Sequence, residues 1–403
     1  MELSISTVPT PKSVSFSARC SVAGPVTQMP KPARLGKRWK EYQGVQNWKG
    51  LLDPLDDNLR SEIIRYGKFV EATYKSFDFD TSSPSYATCC FPKHSLFHHC
   101  GLPDTGYRLT KNLHATSGIR LPRWIDKAPK WMSNRTSWIG YVAVCQDEDQ
   151  ITRLGRRDVV VAYRGTTTCL EWLENLRSTL THLPDTTNVL GLDCSVEPKS
   201  EPKPMVGRGF LSLYVSGTAE YRSLRDQVRE EIGRLIQSYG DEPLSVTITG
   251  HSLGAVLATL TAYDITTTFR HAPLVTVISF GAPRVGNRSF RCHMEKSGSK
   301  ILRIVNSQDP VTKVPGFVID EVSSRDAIQV AGFPSWLQTQ WVYADVGTEL
   351  RVSSRDSPYL RGPTTNVATC HELDTYLHLV NGFVSSKCPF RKTQQPPFTQ
   401  VVG

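Results

Sequence analysis

The stretch "LSVTITGHSLGAVLATLTAYDI" (residues 244–265) decides the fold. Its first seven residues are rich in β-branched side chains and read as a strand. The Ala/Leu-rich run that follows reads as a helix. Between them, Gly250-His251-Ser252-Leu253-Gly254 matches G-x-S-x-G. In a strand–turn–helix context this pattern places the serine on a strained turn and presents its Oγ at the carboxyl edge of a sheet. The bare pattern is common; the strand before it and the helix after it give it weight. Ser252 is therefore the expected nucleophile.

Outward from the elbow, strands and helices alternate. "WIGYVAVC" (138–145) reads as a strand, and "DVVVAY" (158–163) as a strand buried on both faces, running into "RGTTT". Residues 218–239 form an amphipathic helix, with Tyr221, Leu224, Val228, Ile232, Leu235 and Ile236 on one face and Gly240 at its C-cap. "LVTVISFGAPRVGN" (274–287) and "KILRIVNSQDPV" (300–311) each read as a strand and a loop. The pattern predicts an α/β fold of the α/β-hydrolase type, a mostly parallel central sheet covered by helices. Upstream, residues 38–77 read as helical after Pro54, with Leu59, Ile63, Ile64, Phe69, Val70 and Tyr74 at helical spacing. Residues 194–206 read as a surface loop. Residues 316–362 read as an aromatic-bearing insertion (Phe317, Phe333, Trp336, Trp341, Tyr343) with a hairpin near "VYADVGTELRV". The tail from Lys387 reads as unstructured.

Composition narrows the function. The chain has 403 residues and a net charge of +9. Residues 1–40 hold seven basic residues and Glu2, so they carry +6 and leave +3 for the rest. The folded part is nearly balanced and shows no nucleic-acid module, so no nucleic-acid partner is expected. The first thirty residues hold nine Ser/Thr, and no acid follows Glu2 before Glu41. That composition marks an organelle transit peptide, and sparse arginine favours the chloroplast over the mitochondrion. The expected organisation is a transit peptide over 1–40, a hydrolase domain over 41–385 and a flexible tail over 386–403. No apolar run approaches the roughly 18 residues of a membrane span, so any membrane contact is peripheral. The ten cysteines include no CxxC pair. Neither Cys89-Cys90 nor His98-His99-Cys100 has the spacing of a metal site, and no metal or other cofactor is expected.

A serine hydroxyl needs a base, an acid that orients the base, and donors for the oxyanion. In this fold the order along the chain is Ser, Asp/Glu, His. Asp309 follows "ILRIVNSQ" at a strand's carboxyl end, where catalytic groups gather. Asp264, three turns along the nucleophile's own helix, and Asp320, with no clear strand before it, are its rivals. The base is His371 or His378, both in "TCHELDTYLHLVNGF". His371, at a helix start just off a loop, suits a mobile imidazole; His378 falls in line with Leu373, Tyr376, Leu377 and Val380. One oxyanion donor is the backbone N–H of Leu253. The other is Thr166, where Gly165 allows close backbone approach.

"VVAYRGTTT", "VTITGHSLGAVLATL", "ISFGAPRVGN", "RIVNSQDPVTKVP" and "CHELDTYLHLV" together resemble the diagnostic blocks of the class 3 (fungal-type) lipases. Over residues 38–385 the chain is similar to the plant class I chloroplast phospholipases A1 of the defective-in-anther-dehiscence type. The resemblance implies hydrolysis of the sn-1 acyl ester of phospholipids such as phosphatidylcholine, and in some members of galactolipids or triacylglycerol, at aggregated or membrane lipid. It also implies a lid helix over 167–180, with Leu170, Trp172, Leu173 and Leu176 as its apolar face. The alternatives are a triacylglycerol lipase and a lipase-like signalling protein without activity.

Overall fold

The computed structural model describes residues 34–116, 136–166, 179–184, 203–314, 343–360, 367–388 and 390–391. The helix expected after Pro54 is α1 (Asp57–Lys75), started by Asp56, whose carboxylate accepts from the N–H of Asn58 and Leu59. Then follow β1 (Tyr107–Thr116), β2 (Thr136–Cys145), α2 (Glu148–Leu154), β3 (Arg157–Tyr163), β4 (Leu180–His182), β5 (Met205–Gly207), α3 (Arg208–Val215) and α4 (Leu224–Tyr239). Ser252 is flanked by β6 (Leu244–His251) and α5 (Leu253–Thr268). Beyond it lie β7 (Leu274–Phe280), β8 (Gly286–Asn287), α6 (Arg288–Lys296), β9 (Lys300–Asn306), β10 (Tyr343–Ala344), β11 (Thr348–Val352), α7 (Val367–His371) and α8 (Leu373–Gly382).

The main sheet has seven strands in the order β1-β2-β3-β6-β7-β9-β11. The first two pairings are antiparallel, and the run from β3 to β11 is parallel throughout. This is the mostly parallel sheet that the strand–helix alternation predicts. Helices cover both faces. On one, Leu59, Ile63, Tyr66 and Phe69 of α1 meet Tyr376, Leu377 and Val380 of α8. The two helices approach so closely that a Cβ on Gly67 would stand 2.2 Å from Leu377 Cδ2. On the other face lie Val228 and Ile232 of α4, together with α5, which is buried nearly all round from Leu253 to Ala262. Because α5 is sandwiched between the sheet and other helices, its apolar residues need no single face.

Local patterns misled in four places. The helix expected over 218–239 starts only at Leu224, because Ser223 Oγ accepts the N–H of Asp226 and caps it there. Tyr221 precedes it and stays 41% exposed, and Gly240 keeps a right-handed φ of −65°. The expected loop over 194–206 ends in a strand, since Met205 and Val206 are buried in β5 of a second, four-stranded sheet. The expected hairpin over 342–352 does not form. β10 pairs with β8 in the small sheet and β11 pairs with β9 in the main one, parted at Gly347 (φ +93°). β9 supplies the partner that makes β11 the edge of the main sheet, with an ion pair between Arg303 and Glu349 at 3.0 Å. The tail is docked as far as Arg391, whose N–H donates to Gly382 O at 2.8 Å while Phe390 packs over Gly382.

The loop after β7 gathers two distant points of the chain. Arg284 N–H donates to Val314 O at 2.9 Å, and Asn287 pairs with Tyr343.

Candidate active site

Ser252 stands between β6 and α5 with φ 57° and ψ −125°. A side chain in this left-handed region costs about 1–3 kcal/mol, which the surroundings must impose. Here Ser252 N–H donates to Phe280 O at 2.9 Å. A Cβ on Gly250 would lie 2.3 Å from Gly254 O, and one on Gly254 would lie 2.5 Å from Arg164 O. Both glycines are thus required by close approach, and the second brings the elbow against the end of β3.

Asp309 leaves β9 through a turn closed by its own N–H on Asn306 O at 2.9 Å. Its carboxylate is wholly buried and accepts three hydrogen bonds: from His371 Nδ1 at 2.7 Å, from the Tyr376 hydroxyl at 2.6 Å and from Val311 N–H at 2.9 Å. Burial, together with the neighbouring Asp309, pushes the Tyr376 hydroxyl well above its ordinary pKa, so it remains a donor. Asn306 fixes both partners at once, since its Nδ2 donates to Cys370 O at 2.8 Å, one residue before His371. With Nδ1–H on Asp309, His371 presents a basic Nε2. Its ring lies against that of His251, the nucleophile's neighbour, with centroids 4.7 Å apart.

Of the rivals, Asp264 is held by Arg229 of α4 at 2.5 Å, and Asp320 lies outside the described residues. His378 Nε2 is hydrogen-bonded with Ser357 Oγ at 2.8 Å, and burial pushes its pKa down to about 4. The lid stretch from Thr167 to Ser178, with Leu170, Trp172, Leu173 and Leu176, lies outside the described residues, as do Phe317, Phe333, Trp336 and Trp341. Tyr343 is buried in β10.

At the other side of the elbow, Leu253 opens α5, so its N–H has no acceptor within the helix. Thr166 follows β3 by three residues. Its Oγ1 is buried and has no hydrogen-bond partner among the described residues.

Four polar residues beside the site escaped sequence reasoning: Tyr376, Tyr74, His251 and Arg164. The Tyr74 hydroxyl meets His251 Nδ1 at 2.7 Å and accepts Gly165 N–H at 2.9 Å. His251 Nε2 lies 2.6 Å from His371 O. A carbonyl only accepts, so Nε2 carries the proton and Nδ1 accepts from Tyr74. Burial, and then the nearby His371, push the His251 pKa well below its ordinary value, which keeps this ring neutral. His251 is readable only as the variable position of the motif, Tyr74 only as one more apolar-face residue of α1, Tyr376 only as part of an apolar helix face, and Arg164 only as the residue closing a strand.

Residues 160–319 match the family model described as lipase (class 3). The chain is 66% identical over 368 residues to the chloroplastic phospholipase A(1) DAD1 of Arabidopsis thaliana, covering 90% of this chain and 80% of that one. It is 40% identical over 359 residues to the chloroplastic galactolipase DONGLE of Arabidopsis thaliana, covering 86% and 70%. Among solved structures, the lipase of Rhizopus microsporus var. chinensis aligns with a TM-score of 0.42 at 18% identity, covering 74% of this chain and 76% of that one.

Proposed function

Because this chain belongs to the class 3 lipase family, we propose that it is a plastid phospholipase A1 that hydrolyses the sn-1 acyl ester of phospholipids such as phosphatidylcholine and releases a free fatty acid. The observation that carries the reading is Ser252 in its strained elbow beside the buried Asp309–His371 pair. The relatives' names supply the substrate class and the compartment. The acid-poor, Ser/Thr-rich start of the chain agrees with a chloroplast address.

In this reading Ser252 Oγ attacks the ester carbonyl as His371 Nε2 takes its proton. The oxyanion is held by the N–H groups of Leu253 and Thr166, and the Thr166 hydroxyl is a further donor. On collapse, His371 returns the proton to the departing lysophospholipid oxygen. Water, deprotonated by the same imidazole, then frees the fatty acid and restores Ser252. Asp309 keeps the imidazole in one tautomer and stabilises its charged form, and Tyr376 and Val311 keep Asp309 in place. None of these steps calls for a metal or other cofactor.

No helix among the described residues is long and apolar enough to cross a membrane. The candidates for peripheral contact with lipid are the apolar side chains of residues 167–180 and the aromatic insertion at 317–343.

A galactolipid is the second substrate to test, since one relative is named a galactolipase. The deciding experiment compares fatty-acid release from phosphatidylcholine, monogalactosyldiacylglycerol and triolein vesicles or emulsions, with Ser252→Ala as control. Greatest release from phosphatidylcholine is expected, none of it from Ser252→Ala. Full activity in that variant overturns the assignment of the nucleophile, and greatest release from triolein overturns the phospholipase reading.

A further inference from the structure

Beside the elbow lies a buried cation that the mechanism above does not use. The Arg164 guanidinium stacks over Phe77, 3.6 Å from the ring centroid. Its Nε donates to Trp138 O at 2.9 Å, its Nη1 to Gly165 O at 2.9 Å and its Nη2 to Ser137 Oγ at 3.3 Å. The residue is 6% exposed, and among the described residues no carboxylate lies within ion-pair distance. Burial pulls its pKa down to about 10, so it stays charged at neutral pH.

A buried charge with no counter-charge costs several kcal/mol. Tying β2 to the loop after β3 does not require that cost. What the charge touches gives the reason. Gly165 has the freest backbone of any residue type, and it precedes the oxyanion donor. In a trans peptide the C=O of residue 165 and the N–H of residue 166 lie in one plane and point in opposite directions within it. Arg164 Nη1 pins that C=O, so Thr166 N–H is directed away from the guanidinium. The preceding peptide is pinned as well, by Gly165 N–H on the Tyr74 hydroxyl. A Cβ on Gly165 would lie 3.0 Å from Ser252 Cβ, so this locked loop sits against the nucleophile.

We propose that Arg164 and Tyr74 are positioning residues that clamp the two peptides flanking Gly165 and so hold the Thr166 N–H permanently in place as an oxyanion donor. The Arg164 charge, one peptide away from that donor, also favours negative charge on the tetrahedral intermediate. Through His251, the Tyr74 hydroxyl ties this clamp to the carbonyl of His371. The inference rests on Ser252 as nucleophile and Thr166 as donor.

The test uses the full chain and its Arg164→Lys, Arg164→Met, Tyr74→Phe and Ser252→Ala variants. Three quantities are measured on each: kcat and KM on p-nitrophenyl butyrate, the inhibition constant of an alkyl trifluoromethyl ketone, and the thermal midpoint. The ketone adds to the serine as a hemiketal oxyanion, so it reports the hole directly. Loss of one oxyanion donor typically lowers kcat by about 10²–10³. Arg164→Met is expected near that range, and Arg164→Lys and Tyr74→Phe at about tenfold or more. KM should stay within about twofold, and the inhibition constant should rise by the same factor as kcat falls. Should Arg164→Met not fold, the two milder variants decide. A lowered thermal midpoint with kcat and the inhibition constant both unchanged in those variants overturns the proposal. Undiminished activity of Ser252→Ala overturns the underlying assignment instead.

Discussion

The parallel strands have a polar network at each end, and the two are built on different terms. At the amino ends the wholly buried Asp158 accepts from Ser245 at 2.8 Å, Thr247 at 3.0 Å, Tyr66 at 2.9 Å and Tyr107 at 2.8 Å. Arg65 and Arg156 stand against Asp158 and Glu62, so two cations meet two carboxylates. Burial opposes the charge of Asp158, yet Arg156 and Arg65 hold its pKa below the usual carboxylate range. At the carboxyl ends, among the described residues, Arg164 has no counter-charge and Thr166 Oγ1 has no partner, and Ser252 is held in a strained backbone conformation. A network that only supports the fold closes on itself. One that acts on a substrate keeps donors in hand and stores strain.

The sharpest way to break this contrast is to change one carboxylate at each end. Asp309→Asn is expected to lower kcat by about 10⁴-fold, because the amide favours the wrong tautomer of His371. The thermal midpoint should move little, and a steady-state assay beside a melting curve reads both. Asp158→Ala is expected to do the reverse, destabilising the chain by about 3–5 kcal/mol in urea unfolding because buried arginines lose their partner. The kcat of the folded fraction should stay unchanged. A loss of activity in that fraction would show that the amino-end network serves catalysis too.

The two ends should also respond differently to acid. His378, on the helix that carries Tyr376, has its pKa pushed from 6.5 to about 4 by burial. The unfolded chain therefore binds a proton between those values that the folded chain refuses. Stability is complete above pH 6.5 and falls as the pH drops towards 4, by about 2 kcal/mol after allowance for solvent screening. Unfolding midpoints of the native chain and His378→Gln should converge at the acid end of this window. The smallest expected effect is a gain. Ser252→Gly relieves the backbone at φ 57° and should raise stability by about 1 kcal/mol in the same assay while abolishing turnover.

The groups proposed to react could be named from the sequence because each is announced locally. Ser252 has its glycines, Asp309 follows a strand, and His371 comes after both in order. The residues that hold them could not. Tyr74 meets Gly165 across 91 positions and His251 across 177, and nothing near any of the three marks the meeting. Tyr376 looks apolar on its helix until Asp309 is folded against it. The fold failed to read where neighbouring patterns compete. "VYADVGTELRV" alternates like a hairpin, yet the edge of β9 captures one half and β8 the other. Local periodicity sets which segments are strands; partner choice is a property of the assembled sheet.

The loop from Gly281 to Asn287 gives the molecule a modular joint. Val314 is bonded to Arg284 and Tyr343 to Asn287, so residues 315–342 depart from and return to the same short stretch. Closing a longer or shorter connection between two such fixed posts changes the free energy only slowly with length. The two posts are therefore expected to tolerate a change in the length of chain that joins them. Grafting the corresponding segment of a galactolipase relative between Val314 and Tyr343 is expected to leave the melting temperature unchanged. An unchanged melting temperature would show that the two posts carry the join, whichever sequence runs between them.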